Sequence, residues 1–136
     1  MFKKIYLVLI LAGLAAAQTN FEIATKKYLQ DMGDKNVPKL YEKSCREDRN
    51  AVACYIVAQL KAYQAYDLKN NEEYARINGE VFELYKSACD LGYAKACSAA
   101  GDFYDSTPSN DNFVVEQDDT EKSAEFYEKA CESKDG

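Results

Sequence analysis

The sequence predicts an all-α protein: an α/α solenoid of antiparallel helix hairpins stapled by disulfides. Three observations predict it. A short pattern occurs three times, as Tyr41-Glu42-Lys43-Ser44-Cys45, Tyr85-Lys86-Ser87-Ala88-Cys89 and Tyr127-Glu128-Lys129-Ala130-Cys131. Its cysteines are 44 and 42 residues apart, a period that suits stacked helical pairs rather than strands. Apolar residues around the pattern follow helical spacing; Ile77, Val81, Leu84, Tyr85 and Ala88 share one face. Finally, a second cysteine follows each of the first two copies, Cys54 after Cys45 and Cys97 after Cys89.

The elements follow in chain order. Residues 1–17 read as a signal peptide: Lys3 and Lys4, an apolar run from Ile5 to Leu14, then Ala15-Ala16-Ala17. The run is too short to span a bilayer, which takes about 20 residues. Cleavage is expected between Ala17 and Gln18. It leaves no membrane anchor and places the protein in the periplasm or outside the cell. Residues 18–34 form an N-terminal helix, amphipathic from Phe21 to Met32, with Gly33 near the position that ends it. Residues 35–136 form the repeat array, with units at about 35–70, 71–105 and an incomplete 119–136.

In the first unit Pro38 falls in the first helical turn, where a missing N–H does no harm. The stretch from Cys54 to Tyr66 carries a bulky stripe (Ile56, Leu60, Tyr63) beside a small one (Cys54, Ala58, Ala62, Ala65). A small stripe lets a neighbouring helix approach closely. Ala96 to Tyr104 repeats the theme with Cys97, Ala100, Gly101 and Tyr104. Asp105 to Asp118 is rich in turn residues and reads as a loop. Calcium at Asp105, Asp111 and Asp118 is disfavoured because no EF-hand spacing is present. Asp118, Asp119 and Glu121 favour the start of a last helix through its dipole. Ala124, Tyr127 and Cys131 are expected on its packed face.

Composition narrows the chemistry. The chain has 136 residues, 17 Lys+Arg against 23 Asp+Glu, five Cys and no His. Ser-His-Asp catalysis, Cys-His catalysis and His-ligated zinc are excluded. The acidic balance argues against nucleic-acid partners. All five cysteines follow the signal peptide, in the part that meets an oxidising compartment. Seven residues separate Cys89 from Cys97 and eight separate Cys45 from Cys54. In a helical hairpin those ends meet, so the expected disulfides are Cys45–Cys54 and Cys89–Cys97. Each closes a loop worth roughly 2.5 kcal/mol in the chain-entropy model. A Cys₄ zinc site is disfavoured because Cys-x₂-Cys pairs are missing, and the same absence counts against thioredoxin chemistry. No metal or cofactor is expected. Cys131 has no mate. Either the chain is a fragment whose next cysteine falls near position 139 or 140, or Cys131 pairs between molecules.

These residues resemble Sel-one-like repeats, relatives of the tetratricopeptide repeat. The third copy matches the first half of the family pattern from Ala124 through Tyr127, Lys129 and Ala130 to Cys131; the second copy matches the other half at Cys97, Gly101 and Tyr104. With paired cysteines and an export signal, the chain resembles the Helicobacter cysteine-rich protein family over residues 35 to 136. Departures are Ala58 and Lys61 in the first copy and Phe82 in the second. The resemblance implies a right-handed superhelix with a concave face. It also implies a functional class, secreted or periplasmic penicillin-binding β-lactamases.

The residues themselves carry no β-lactamase machinery. Ser-x-x-Lys, Ser-Asp-Asn and Lys-Thr-Gly are absent, as are histidine ligands for a metal enzyme. Ser44 beside Lys43, Ser87 beside Lys86 and Ser123 beside Lys122 are the nearest substitutes. Adjacent helix residues point apart, so the spacing is poor for a nucleophile and its base. The catalytic residues are therefore unassigned. Tyr41, Tyr85 and Tyr127 suit a binding groove, but their place on the apolar stripe favours packing. The expected activity is binding of a peptide, protein or β-lactam-like cell-wall ligand on the concave face, with β-lactam hydrolysis implied by resemblance. A non-catalytic interaction scaffold is the alternative.

Overall fold

A computed structural model describes residues 18–105 and 120–133. The described residues form six helices and no strand: α1 (Asn20–Gln30), α2 (Val37–Glu47), α3 (Ala51–Tyr66), α4 (Asn71–Asp90), α5 (Ala94–Asp105) and α6 (Thr120–Glu132). The main helix contacts are between neighbours in sequence, from α1 on α2 to α5 on α6. No helix among the described residues is long and apolar enough to cross a membrane. The signal segment 1–17 lies outside the described residues, as do Asp111 and Asp118 of the expected loop.

Short polar side chains start the helices. Thr19 accepts from the Glu22 amide and Glu22 reaches back to the Thr19 amide, a reciprocal cap on α1. Asn50 accepts from the Ala53 amide at 2.9 Å, so α3 begins three residues before Cys54. Asn70 accepts from Glu72 and Glu73, whose carboxylates then sit at the positive end of α4. Pro38 lies in the first turn of α2.

The turns depart from expectation in one place. α1 stops at Gln30, and Gly33 does not take a left-handed conformation. The Asp31 carboxylate accepts from the Gly33 amide at 2.9 Å, and the Asp34 carboxylate accepts from the Asn36 amide at 2.8 Å. Two Asx turns therefore carry the chain into α2, with no glycine cap needed. The left-handed positions fall elsewhere: Gly92 (φ 95°) between α4 and α5, and Arg49 (φ 50°) between α2 and α3.

Disulfides join Cys45 to Cys54 and Cys89 to Cys97, with Cα separations of 4.7 and 4.5 Å. Each ties the end of one helix to the start of the next. The larger core gathers around them: Cys54, Ala58, Val81, Phe82, Tyr85, Ala88, Cys89, Ala96, Cys97, Ala100 and Phe126. A smaller core joins Ala24, Val37, Tyr41, Ala53 and Val57. Phe82 occupies the meeting point of three helices, with ring centroids 5.4 Å from Phe103, 5.6 Å from Tyr104 and 6.3 Å from Phe126.

Of two helix faces read in the sequence, that of α3 packs as expected and that of α6 does not. In α3 the small stripe is the buried one: Ala58 and Ala65 are covered, while Leu60 and Tyr63 are 38% and 79% exposed. Close approach of α2 and α4 selects the side without bulk. In α6 the buried residues are Ser123 and Phe126; Ala124 and Cys131 face solvent and Tyr127 is half-buried. The stacked rings of Tyr104 and Phe126, 5.9 Å apart, fix that rotation.

α6 approaches α5 at Gly101. A Cβ on Gly101 would stand 3.0 Å from Tyr127 Cε1. The Tyr127 hydroxyl donates to Asp102 at 2.7 Å, which holds the ring across the helix. Ion pairs add surface links: Lys61 of α3 lies 2.9 Å from Glu80 of α4, and Arg76 lies 2.6 Å from the same carboxylate.

Candidate functional site

α4 is the longest helix and its spacing builds the site. Tyr74, Asn78, Val81 and Tyr85 follow one another at i, i+4, i+7 and i+11, so they form one stripe. Ala99, Asp102 and Phe103 of α5 face that stripe, and Ala62 of α3 closes its side. Together they line a cavity of about 370 Å³. Ala62 and Ala99 leave the room; bulkier side chains there would fill it.

Three aromatic rings form its walls. Tyr85 and Phe103 meet edge to face at 6.2 Å, and Tyr85 is backed by Tyr55 at 5.5 Å. Tyr74 and Asn78 are half-buried, and their side chains make no hydrogen bond among the described residues. An amide of this kind offers both a donor and an acceptor to a ligand. Asp102 is the one charged lining residue among those described. It anchors the Tyr127 hydroxyl and so connects the cavity to α6.

Two phenols at this place are shifted from their usual range. Burial pushes the Tyr85 phenol above its usual range, and the charge on Asp102 adds to the effect. The Tyr127 phenol is pushed up chiefly because it donates to Asp102. The nearby cations on α3 and α4, Lys61 and Arg76, both turn to Glu80.

A second cavity, of about 540 Å³, lies between the end of α1, the turn that follows, α2 and α3. Tyr28, Met32, Val37, Pro38, Tyr41, Ile56 and Leu60 make it mainly apolar. It uses the bulky stripe of α3 left exposed by packing on the small one.

The residues singled out in the sequence are distributed as follows. Tyr41 and Tyr85 are buried, as packing residues are, and both also line a cavity. Ser44 is fully buried, its hydroxyl without a hydrogen-bond partner among the described residues, and its neighbour Lys43 pairs with Glu47 at 3.9 Å. Ser123 is buried beside the Tyr127 hydroxyl, and Lys122 lies over the Tyr104 ring at 5.7 Å. Ser87 and Lys86 are exposed on α4. None of the three serines lines either cavity. Among the described residues, no cluster of three or more Cys, Asp or Glu could hold a metal ion. Cys131 is a free thiol, exposed on α6.

Sequence reasoning missed Tyr74, Asn78, Asp102 and Phe103. A signal for two of them is present: an amide and an aromatic ring inside the apolar stripe of α4. Comparison with family models, curated proteins and solved structures finds no match.

Proposed function

We propose that this protein is an exported, non-catalytic repeat module that binds peptides in the cavity between α3, α4 and α5. The observation that carries the reading is the composition of that cavity: aromatic walls, a half-buried amide that makes no hydrogen bond among the described residues, and one carboxylate. Stacked helical hairpins present grooves of this kind along one face, and groove aromatics with amides suit extended chains. The neighbour-on-neighbour helix contacts and the disulfide at each α2–α3 and α4–α5 turn support the α/α repeat plan. The Sel-one-like resemblance supports the same plan. Two disulfides suit an oxidising compartment, which supports a periplasmic or secreted location.

The hydrolytic label of the resembled family finds no chemical partner in this cavity. Its lining contains no serine, cysteine or lysine among the described residues. Its buried phenol, Tyr85, is held away from ionisation. β-Lactams, as mimics of cell-wall peptides, would enter as ligands rather than substrates.

Panning a displayed peptide library on the purified, oxidised protein, with a nitrocefin assay on the same sample, tests the proposal. Enriched peptides and nitrocefin turnover equal to buffer are expected. Failure to enrich any peptide overturns the binding reading. Turnover that rises in proportion to protein concentration overturns the non-catalytic one.

A further inference from the structure

The first and last helix pairs are antiparallel. The start of α1 lies at the end of α2, where the Asn20 amide donates to the Asp48 carboxylate at 3.1 Å. In the last pair Tyr127 crosses Gly101, while the earlier Lys122 lies over the later Tyr104. The two outermost helices pack chiefly on one neighbour, α1 on α2 and α6 on α5. Their outer flanks are grooved and largely apolar. On α1, Phe21, Thr25 and Leu29 follow at i, i+4 and i+8 beside Lys26, along a groove of about 410 Å³. On α6, Ala124, Tyr127 and Cys131 follow at i, i+3 and i+7 beside Glu128, along a groove of about 440 Å³. Leu29 is 77% exposed, and Lys26, Ala124, Glu128 and Cys131 are exposed as well. In stacked helical arrays an end without a polar face is a surface for a further unit. The charges of the two end helices are opposite. α1 has two lysines against one glutamate, and α6 has four glutamates against two lysines.

We infer that the outer flank of α6 takes the outer flank of α1 from a second copy of this chain, so that copies join end to end. Docked antiparallel, as α1 docks on α2, the start of α1 lies over the end of α6. Phe21 and Leu29 then cover the apolar line of α6, and Lys26 comes within a turn of Glu128. The two flanks differ, so the contact is head to tail and builds rings or open chains. Opposite charges steer the two ends together, and like charges at the same place hold them apart. The inference goes beyond the peptide-binding reading and does not depend on it, since neither flank lines the α3–α4–α5 cavity.

The test is sedimentation velocity of the oxidised protein over a wide range of concentration. Cys131→Ser in every sample keeps disulfide-linked pairs out of the measurement. The weight-average mass is expected to rise with concentration above that of the monomer and to fall back as salt is added. Lys26→Glu and Glu128→Lys are each expected to weaken association about tenfold or more. Both positions are exposed, so neither change disturbs the packing of its own helix. Mixing the two variants is expected to restore association, because the α1 flank of either one then meets an α6 flank of opposite charge on the other. Leu29→Asn is expected to weaken association several-fold by removing apolar contact. A monomer at every concentration overturns the inference. So does an effect confined to one of the two charge reversals, or a mixture no more associated than each variant alone.

Discussion

Gly101→Ala tests the contact that seats α6 on α5. The added Cβ would lie 3.0 Å from Tyr127 Cε1 and 3.2 Å from both Cδ1 and Cζ. Atoms that close must separate by a few tenths of an ångström. The ring cannot swing away freely, because its hydroxyl donates to Asp102 at 2.7 Å. Overpacking of this kind costs about 1–3 kcal/mol. Against it stands the better helix propensity of alanine over glycine, about 1 kcal/mol in a helix interior. The expected net effect is a loss of about 1 kcal/mol. With Tyr127→Ala in the background the clash is gone and the propensity term remains. There Gly101→Ala is expected to add about 1 kcal/mol, a coupling of about 2 kcal/mol. Urea unfolding of the oxidised protein at 25 °C, followed by far-ultraviolet circular dichroism, measures all four corners of the cycle. A stabilising Gly101→Ala in the wild-type background, or a coupling under about 0.5 kcal/mol, refutes the reasoning.

Three further outcomes follow from single residues. Ser44→Ala removes a fully buried hydroxyl that has no hydrogen-bond partner among the described residues, at a position where the other copies have Ala88 and Ala130. It is expected to raise stability by about 1 kcal/mol and the melting temperature by about 4 °C or more, read in a thermal scan. Gly92→Ala meets open space but forces alanine to φ 95°, so it is expected to lose about 1–2 kcal/mol through the backbone alone. Glu80→Gln breaks the Lys61 and Arg76 contacts and is expected to lose up to about 1 kcal/mol near neutral pH. The hydrogen bond from Lys61 lowers the Glu80 pKa from 4.5, so this stabilisation is present above that value and lost as pH falls through the lower folded value. The gap between variant and wild type should therefore be full in urea titrations at pH 7 and narrow steadily as the pH is lowered below 4.5.

The helices were legible because local chemistry marks them. Pro38 marked the first turn of α2, the apolar period marked α4 and the acidic first turn marked α6, and cysteine spacing pointed to the two turns that the disulfides tie. Rotation about the helix axis was harder to read. α3 has two apolar stripes, and the choice of Ala58 and Ala65 over Leu60 and Tyr63 is made by neighbours distant in sequence. α6 likewise turns Cys131 outward because Phe126 stacks on Tyr104. Gly33 misled, since a glycine after a helix suggests a left-handed cap, whereas Asp31 and Asp34 closed that turn with their side chains. The cavity escaped notice because its walls come from three helices and its most telling residue, Asn78, looks like an ordinary polar interruption of a stripe.

Peptide binding between α3, α4 and α5 is the central claim, and one spectrum tests it most directly. A ¹⁵N-labelled sample is titrated with the best peptide from panning. The shifted and broadened amides are expected to cluster at residue 62, at 74–85 and at 99–103. Shifts confined to the apolar cavity of α1, α2 and α3, or spread without a centre over the surface, would contradict it.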